Sequence, residues 1–240
     1  MKAVVVSEQT NHPFYNIITL SLGAIMKVIS FVTQKGGSGK TTLAFSCAVA
    51  AEKTGLKVLI VDMDPQGTAE RWYQDRELET PPLVRINTSE LEKALTTAHN
   101  QSFDLVLLDT PGRDEPGIAT AIRASDMCII PCRPTPADMK ATPQTVSTIN
   151  RLNKHSAFVL TQTPARSFRI REATKGLSVL SMVCPINIVL RMAYQDAQSA
   201  GLSVLEYEPE GKAADEIRQL WNWISRKLEK LEYGKKKNVA

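Results

Sequence analysis

A chain of 240 residues and 26.5 kDa has room for one large domain or two small ones, and for a full apolar core. Its 43% hydrophobic and 22% charged residues exclude a disordered chain, and no apolar run reaches the roughly 18 residues that a membrane-spanning helix needs. The net charge of +4 lies wholly in residues 164–240, and Arg151 to Arg191 carries seven basic side chains against the single acid Glu172, an asymmetry that suggests a polyanion-facing surface.

The four cysteines, Cys47, Cys128, Cys132 and Cys184, form no C-x-x-C pair, and three of them lie in strongly apolar stretches. That usage predicts reduced, buried thiols in a cytoplasmic protein, not a disulfide framework or a zinc site. His12, His99 and His155 have no ligand spacing and read as surface or loop residues.

Residues 1–25 differ in pattern from the rest of the chain and read as an N-terminal extension of unknown role; residues 26–240 read as a single domain. Strands are predicted at 28–33, 57–62, 104–109, 126–131, 156–161 and 183–189. Helices are predicted at 41–53, 67–78, 89–99, 116–123, 137–152, 168–180 and 193–200, with a last amphipathic helix at 213–231 and a frayed tail after it. Continuous apolar strands such as Val58–Val61 and Leu105–Leu108 imply burial on both faces. The alternation therefore predicts an α/β, doubly wound, mainly parallel sheet with helices on both faces.

Between the first strand and first helix stands Gln34-Lys35-Gly36-Gly37-Ser38-Gly39-Lys40-Thr41-Thr42. There, glycines let backbone N–H groups curl around phosphate oxygens, and the helix N-terminus adds positive potential. Lys40 is placed to neutralise the β and γ phosphates, and the Thr41 hydroxyl to ligate Mg²⁺. The usual spacing asks for Gly at position 34; this chain has Gln34, then a second lysine, Lys35.

This string resembles the deviant Walker A box K-G-G-x-G-K-[ST]-[ST] of the ParA/MinD family of ATPases, which implies a P-loop NTPase fold with ATP and Mg²⁺ as ligands. Similarity extends over most of 27–231 and is nearest to short, ParF-like plasmid partition proteins. Val61-Asp62-Met63-Asp64-Pro65-Gln66-Gly67 looks like the family's D-x-D-P-Q-G segment, implying that Asp64 positions the attacking water and that Asp62 lies near the metal. The segment 103–112 looks like the Walker B strand, with Asp109 holding Mg²⁺ through water and Gly112 opening a switch loop. Ile130 to Asp138 resembles the proline-containing loop near the ParA dimer interface.

In this family the lysine corresponding to Lys35 reaches into the partner subunit's nucleotide, so the resemblance implies an ATP-dependent homodimer, with higher-order assembly left open. It implies weak hydrolysis stimulated by a ParB-like centromere-binding protein, and nonspecific double-stranded DNA as a further partner in a nucleoid-associated cycle. Arg166, Arg169, Arg171, Lys175 and Arg191 are the candidate DNA contacts. Partition of a plasmid or chromosome is the reading adopted. A ParA-like positioner of protein cargo, a MinD-like membrane-surface ATPase and a nucleotide-gated assembly protein are the alternatives. The last helix carries Trp221, Trp223, Lys227 and Lys230, but its Ile/Leu stripe has core-like spacing, so no membrane partner is expected. An iron–sulfur carrier is disfavoured because 110–117 contains no cysteine.

Overall fold

The computed structural model describes residues 25–112 and 115–237; the N-terminal extension lies almost wholly outside them. Seven parallel strands stand in the order β3-β2-β4-β1-β5-β6-β7. They are β1 (Lys27–Phe31), β2 (Val58–Asp62), β3 (Leu83–Arg85), β4 (Leu105–Asp109), β5 (Met127–Cys132), β6 (His155–Leu160) and β7 (Met182–Val183). The connecting helices are α1 (Lys40–Glu52), α2 (Thr68–Gln74), α3 (Leu91–Asn100), α4 (Glu115–Ala124), α5 (Pro136–Arg151), α6 (Phe168–Ser178), α7 (Met192–Ser199), α8 (Val204–Tyr207) and α9 (Lys212–Lys237).

Alternate residues of each strand serve opposite faces. Ile29 and Phe31, with Ile60, Leu107 and Ile129, pack against α1, α7, α8 and α9. On the other face, Cys128, Ile130 and Phe158 meet α4, α5 and α6, while Val61, Val106 and Leu108 meet α3. Both faces are dry, which is why the strands read as unbroken apolar runs. All four cysteines are free and buried, as composition predicts, and burial raises their thiols.

The final helix bears on one alternative. Ile217, Leu220, Trp221, Ile224 and Leu228 are buried in the core that also contains α1, so the apolar stripe of α9 faces protein. No helix among the described residues is long and apolar enough to cross a membrane.

The structure corrects several boundaries. Helix α9 runs on through Lys237, where a frayed tail is predicted from sequence. Strand β7 is only two residues long: after Cys184 N–H donates to Phe158 O at 2.8 Å, the next backbone donor to β6 is Ile188. The rest of the predicted strand forms an extended strap, in which Ile188 N–H donates to Leu160 O and Leu190 N–H to Thr163 O, at 2.9 Å each. Strand β3 and helix α8 are absent from the prediction; at three and four residues they are too short to show a period.

Candidate nucleotide-binding site

Register alone assembles the acidic end of the site. Asp109 at the end of β4 lies beside Phe31 of β1 and beside Asp62 of β2. The turn 34–39 leaves β1 at that level and enters α1 through Gly39, whose φ of 93° is left-handed and open mainly to glycine. Ligands of such sheets bind outside the carboxyl ends where strand order reverses, and here the helix N-terminus faces that crevice. A cavity of about 940 Å³ occupies it. Gly36, Gly37, Ser38, Gly39, Lys40, Thr41 and Thr42 line it, together with Asp64 and Gly112. Thr161, Gln162, the strap 188–191, Tyr194, Gln195 and Gln198 complete the lining.

The chemistry suits a metal-bound polyphosphate. Lys40 is buried; burial lowers its ammonium pKa, opposed by the charges of Asp109 and Asp64. A Cβ on Gly112 would lie 3.5 Å from Lys40 Nζ, so the loop after β4 passes close over the lysine. Thr41 Oγ1 donates to Asp109 Oδ2 at 2.7 Å, while Asp109 Oδ1 is buried with no hydrogen-bond partner among the described residues. Such an orphaned oxygen beside a hydroxyl fits a hard cation, and among the described residues no cluster of His, Cys, Asp or Glu could hold a metal by itself. That matches Mg²⁺, which takes one or two protein oxygens and completes its shell with phosphate and water.

Burial pushes the Asp109 carboxyl up to about 7; Asp62 and Asp64 add to the rise, and Thr41 and Lys40 oppose it. A proton would compete with a Mg²⁺ ion held there. Mg²⁺-dependent nucleotide binding is therefore expected to weaken by up to about tenfold per pH unit below about 7 and to level off above it. Calorimetric titrations between about pH 5.5 and about pH 8 check this. A constant affinity across that range would contradict it.

Two predicted site residues make bonds that the sequence does not announce. Both oxygens of Asp62 are engaged by backbone: Oδ1 accepts from Asp64 N at 2.9 Å and Oδ2 from Glu70 N at 3.1 Å. Fully buried and bonded in this way, Asp62 shapes the loop that presents Asp64, and in register it stands beside Asp109. Arg191 is not a free surface cation. Its Nη2 and Nε donate to Glu216 Oε1 at 2.6 and 3.0 Å, and it lines the nucleotide cavity. Glu216 Oε2 accepts from Val189 N and Tyr194 Oη at 3.1 Å, so one α9 carboxylate anchors the whole strap. Arg166, Arg169, Arg171 and Lys175 are exposed, and among the described residues none is ion-paired.

Sequence reading also misses residues that brace the phosphate turn. Thr161 Oγ1 donates to Ser38 O and Gln162 Nε2 to Gly37 O, both at 2.8 Å. These bonds span 123 and 125 residues, and no local pattern announces them. Lys35 is half-buried, stands outside the cavity lining and has no ion pair among the described residues.

A glycine-rich phosphate turn at the reversal point of a parallel sheet, with an acid on the neighbouring strand, makes this a P-loop nucleotide-binding protein. Comparison with known proteins refines that class. The profile of the CobQ/CobB/MinD/ParA nucleotide-binding domain matches residues 29–202, and the chain belongs to that family of P-loop ATPases. The maintenance of carboxysome distribution protein A of Halothiobacillus neapolitanus is 30% identical over 202 residues, covering 79% of this chain and 92% of that protein. The chromosome-partitioning ATPase Soj of Thermus thermophilus is 27% identical over 242 residues, covering 83% and 95%. Among solved structures, the septum site-determining protein MinD of Pyrococcus horikoshii, complexed with Mg-ADP, shares the fold with a TM-score of 0.67 at 19% identity, covering 83% of this chain and 96% of that one.

Proposed function

We propose that this chain is an ATP-driven positioning ATPase: two copies close over two ATP molecules, the dimer holds nonspecific DNA, and hydrolysis releases it. The observation that carries the reading is the pair of lysines around one turn, with Lys40 inside the cavity and Lys35 outside its lining. Lys40, Thr41 and Asp109 hold Mg-ATP, Asp64 orients the attacking water, and Lys35 completes the neighbouring subunit's site. A centromere-bound, ParB-like partner is the expected stimulator, and the nucleoid the expected location. The stripe of α9 from Ile217 to Leu228 is buried against protein, which disfavours the membrane-surface alternative. The Halothiobacillus relative favours protein cargo as a second reading, with the same chemistry and a different partner.

Basic residues on α6 and the loop before it form the DNA surface. Arg171 and Lys175 are four apart and share one helical face. Replacing Arg169 and Arg171 together by glutamate is expected to weaken DNA binding by at least about tenfold and to lower the log–log salt slope by about one for each phosphate no longer neutralised. Nucleotide affinity should stay as in the wild type. Fluorescence anisotropy on unrelated duplexes, with ATP at several salt concentrations, measures all three quantities. DNA affinity equal to wild type, with the same slope, would remove DNA from the proposal.

A further inference from the structure

Strand β3, invisible in the sequence pattern, places one arginine over the loop that carries Asp64. In register, Arg85 lies beside Asp62 on β2. Its Nη1 donates to Glu70 Oε2 at 2.7 Å, in the first turn of α2, and its Nη2 donates to Pro65 O at 2.8 Å. The guanidinium sits directly on the loop: a Cβ on Gly67, whose φ is +60°, would come within 3.2 Å of both Arg85 Nη1 and Glu70 Oε2. Asp62 holds the same loop from within through the amides of Asp64 and Glu70. The residue between these two grips is Asp64.

We propose that Arg85 is a positioning residue for hydrolysis, fixing the 64–67 loop so that the Asp64 carboxylate points into the nucleotide cavity. The inference rests on the reading of Asp64 as the group that orients water. Three features separate this role from mere stability. The pair is well exposed, with the side chains of Arg85 and Glu70 at 41% and 33%, so it adds little to folding. Arg85 does not line the cavity, so it adds nothing directly to nucleotide affinity. Its two bonds go to groups on either side of Gly67, a forked grip that a lysine ammonium cannot reproduce.

Displacement of a catalytic group by about 1 Å costs on the order of a hundredfold in rate. Single-turnover hydrolysis of Mg-ATP by full-length Arg85→Ala is therefore expected to slow about ten- to a hundredfold, with the nucleotide dissociation constant within about twofold of wild type and the melting temperature nearly unchanged. Glu70→Ala keeps the Pro65 bond and should lose less; Arg85→Lys should fall between wild type and Arg85→Ala. Wild-type hydrolysis by Arg85→Ala alongside an inactive Asp64→Ala overturns the role of Arg85 alone. Wild-type hydrolysis by Asp64→Ala removes the reading beneath it, as does the absence of turnover by the unaltered chain. A loss of rate that comes with an equal loss of nucleotide affinity, or with a markedly lower melting temperature, would mark Arg85 as structural and also overturn the proposal.

Discussion

Lys35→Ala is expected to lower ATP turnover by about a thousandfold while leaving ATP affinity within a few-fold of wild type, because a cation supplied to the transferring phosphoryl group acts mainly on the transition state. Lys40→Ala should behave differently. Lys40 is buried beneath the phosphate turn between Asp109 and Asp64, so its loss leaves those acids uncompensated and should abolish nucleotide binding itself. A mixing experiment tests whether Lys35 acts across the dimer. Lys35→Ala and Asp64→Ala subunits, each inactive alone, would form heterodimers with one site containing both an intact Asp64 and the partner's intact lysine. Random pairing of equal amounts should then restore about a quarter of wild-type turnover. If Lys35 serves its own nucleotide, no mixture recovers activity. Turnover by Lys35→Ala equal to wild type would remove the role altogether.

The largest effect on stability is expected at Arg76. Its side chain is fully buried, its Nη1 and Nη2 donate to Glu206 at 2.8 and 2.6 Å, and further bonds go to Thr80 O and Gly201 O. Its guanidinium lies 5.0 Å from the ring of Trp72, which stacks on Phe45 of α1. This cluster ties the end of α2 to the segment between α7 and α8, where Gly201 comes so close that a Cβ would meet Asp75 O at 2.4 Å. Removing one member of a buried ion pair strands the other charge and costs about 3–5 kcal/mol. At about 2–4 °C per kcal/mol for a chain of this size, Arg76→Ala or Glu206→Ala should melt about 6–20 °C lower. Replacing both by leucine should cost less than the sum of the single changes, since no lone charge remains. Thermal unfolding followed by circular dichroism checks this, and a single variant melting within about 2 °C of wild type would contradict it.

Local sequence determined the elements whose signal is periodic or local. Unbroken apolar runs such as Leu105–Leu108 announced strands buried on both faces. The turn from Lys35 to Thr42 announced a phosphate site, because its glycines, lysine and hydroxyl are needed at fixed spacing on adjacent residues. The spacing of Ile217, Leu220, Ile224 and Leu228 likewise announced a helix packed on the core. How side chains far apart in the chain are used follows from the packed fold alone. Asp62 turns its carboxylate to the amides of its own loop, Arg191 pairs with Glu216, and Gln162 braces Gly37 across 125 residues. Arg85 reaches Pro65 only because a three-residue strand docks at the sheet edge. An arginine or aspartate has the same letter whether it meets solvent, a backbone amide or an opposite charge. What it does is set by which partners the sheet order and helix packing bring within about 3 Å, and that information is not local.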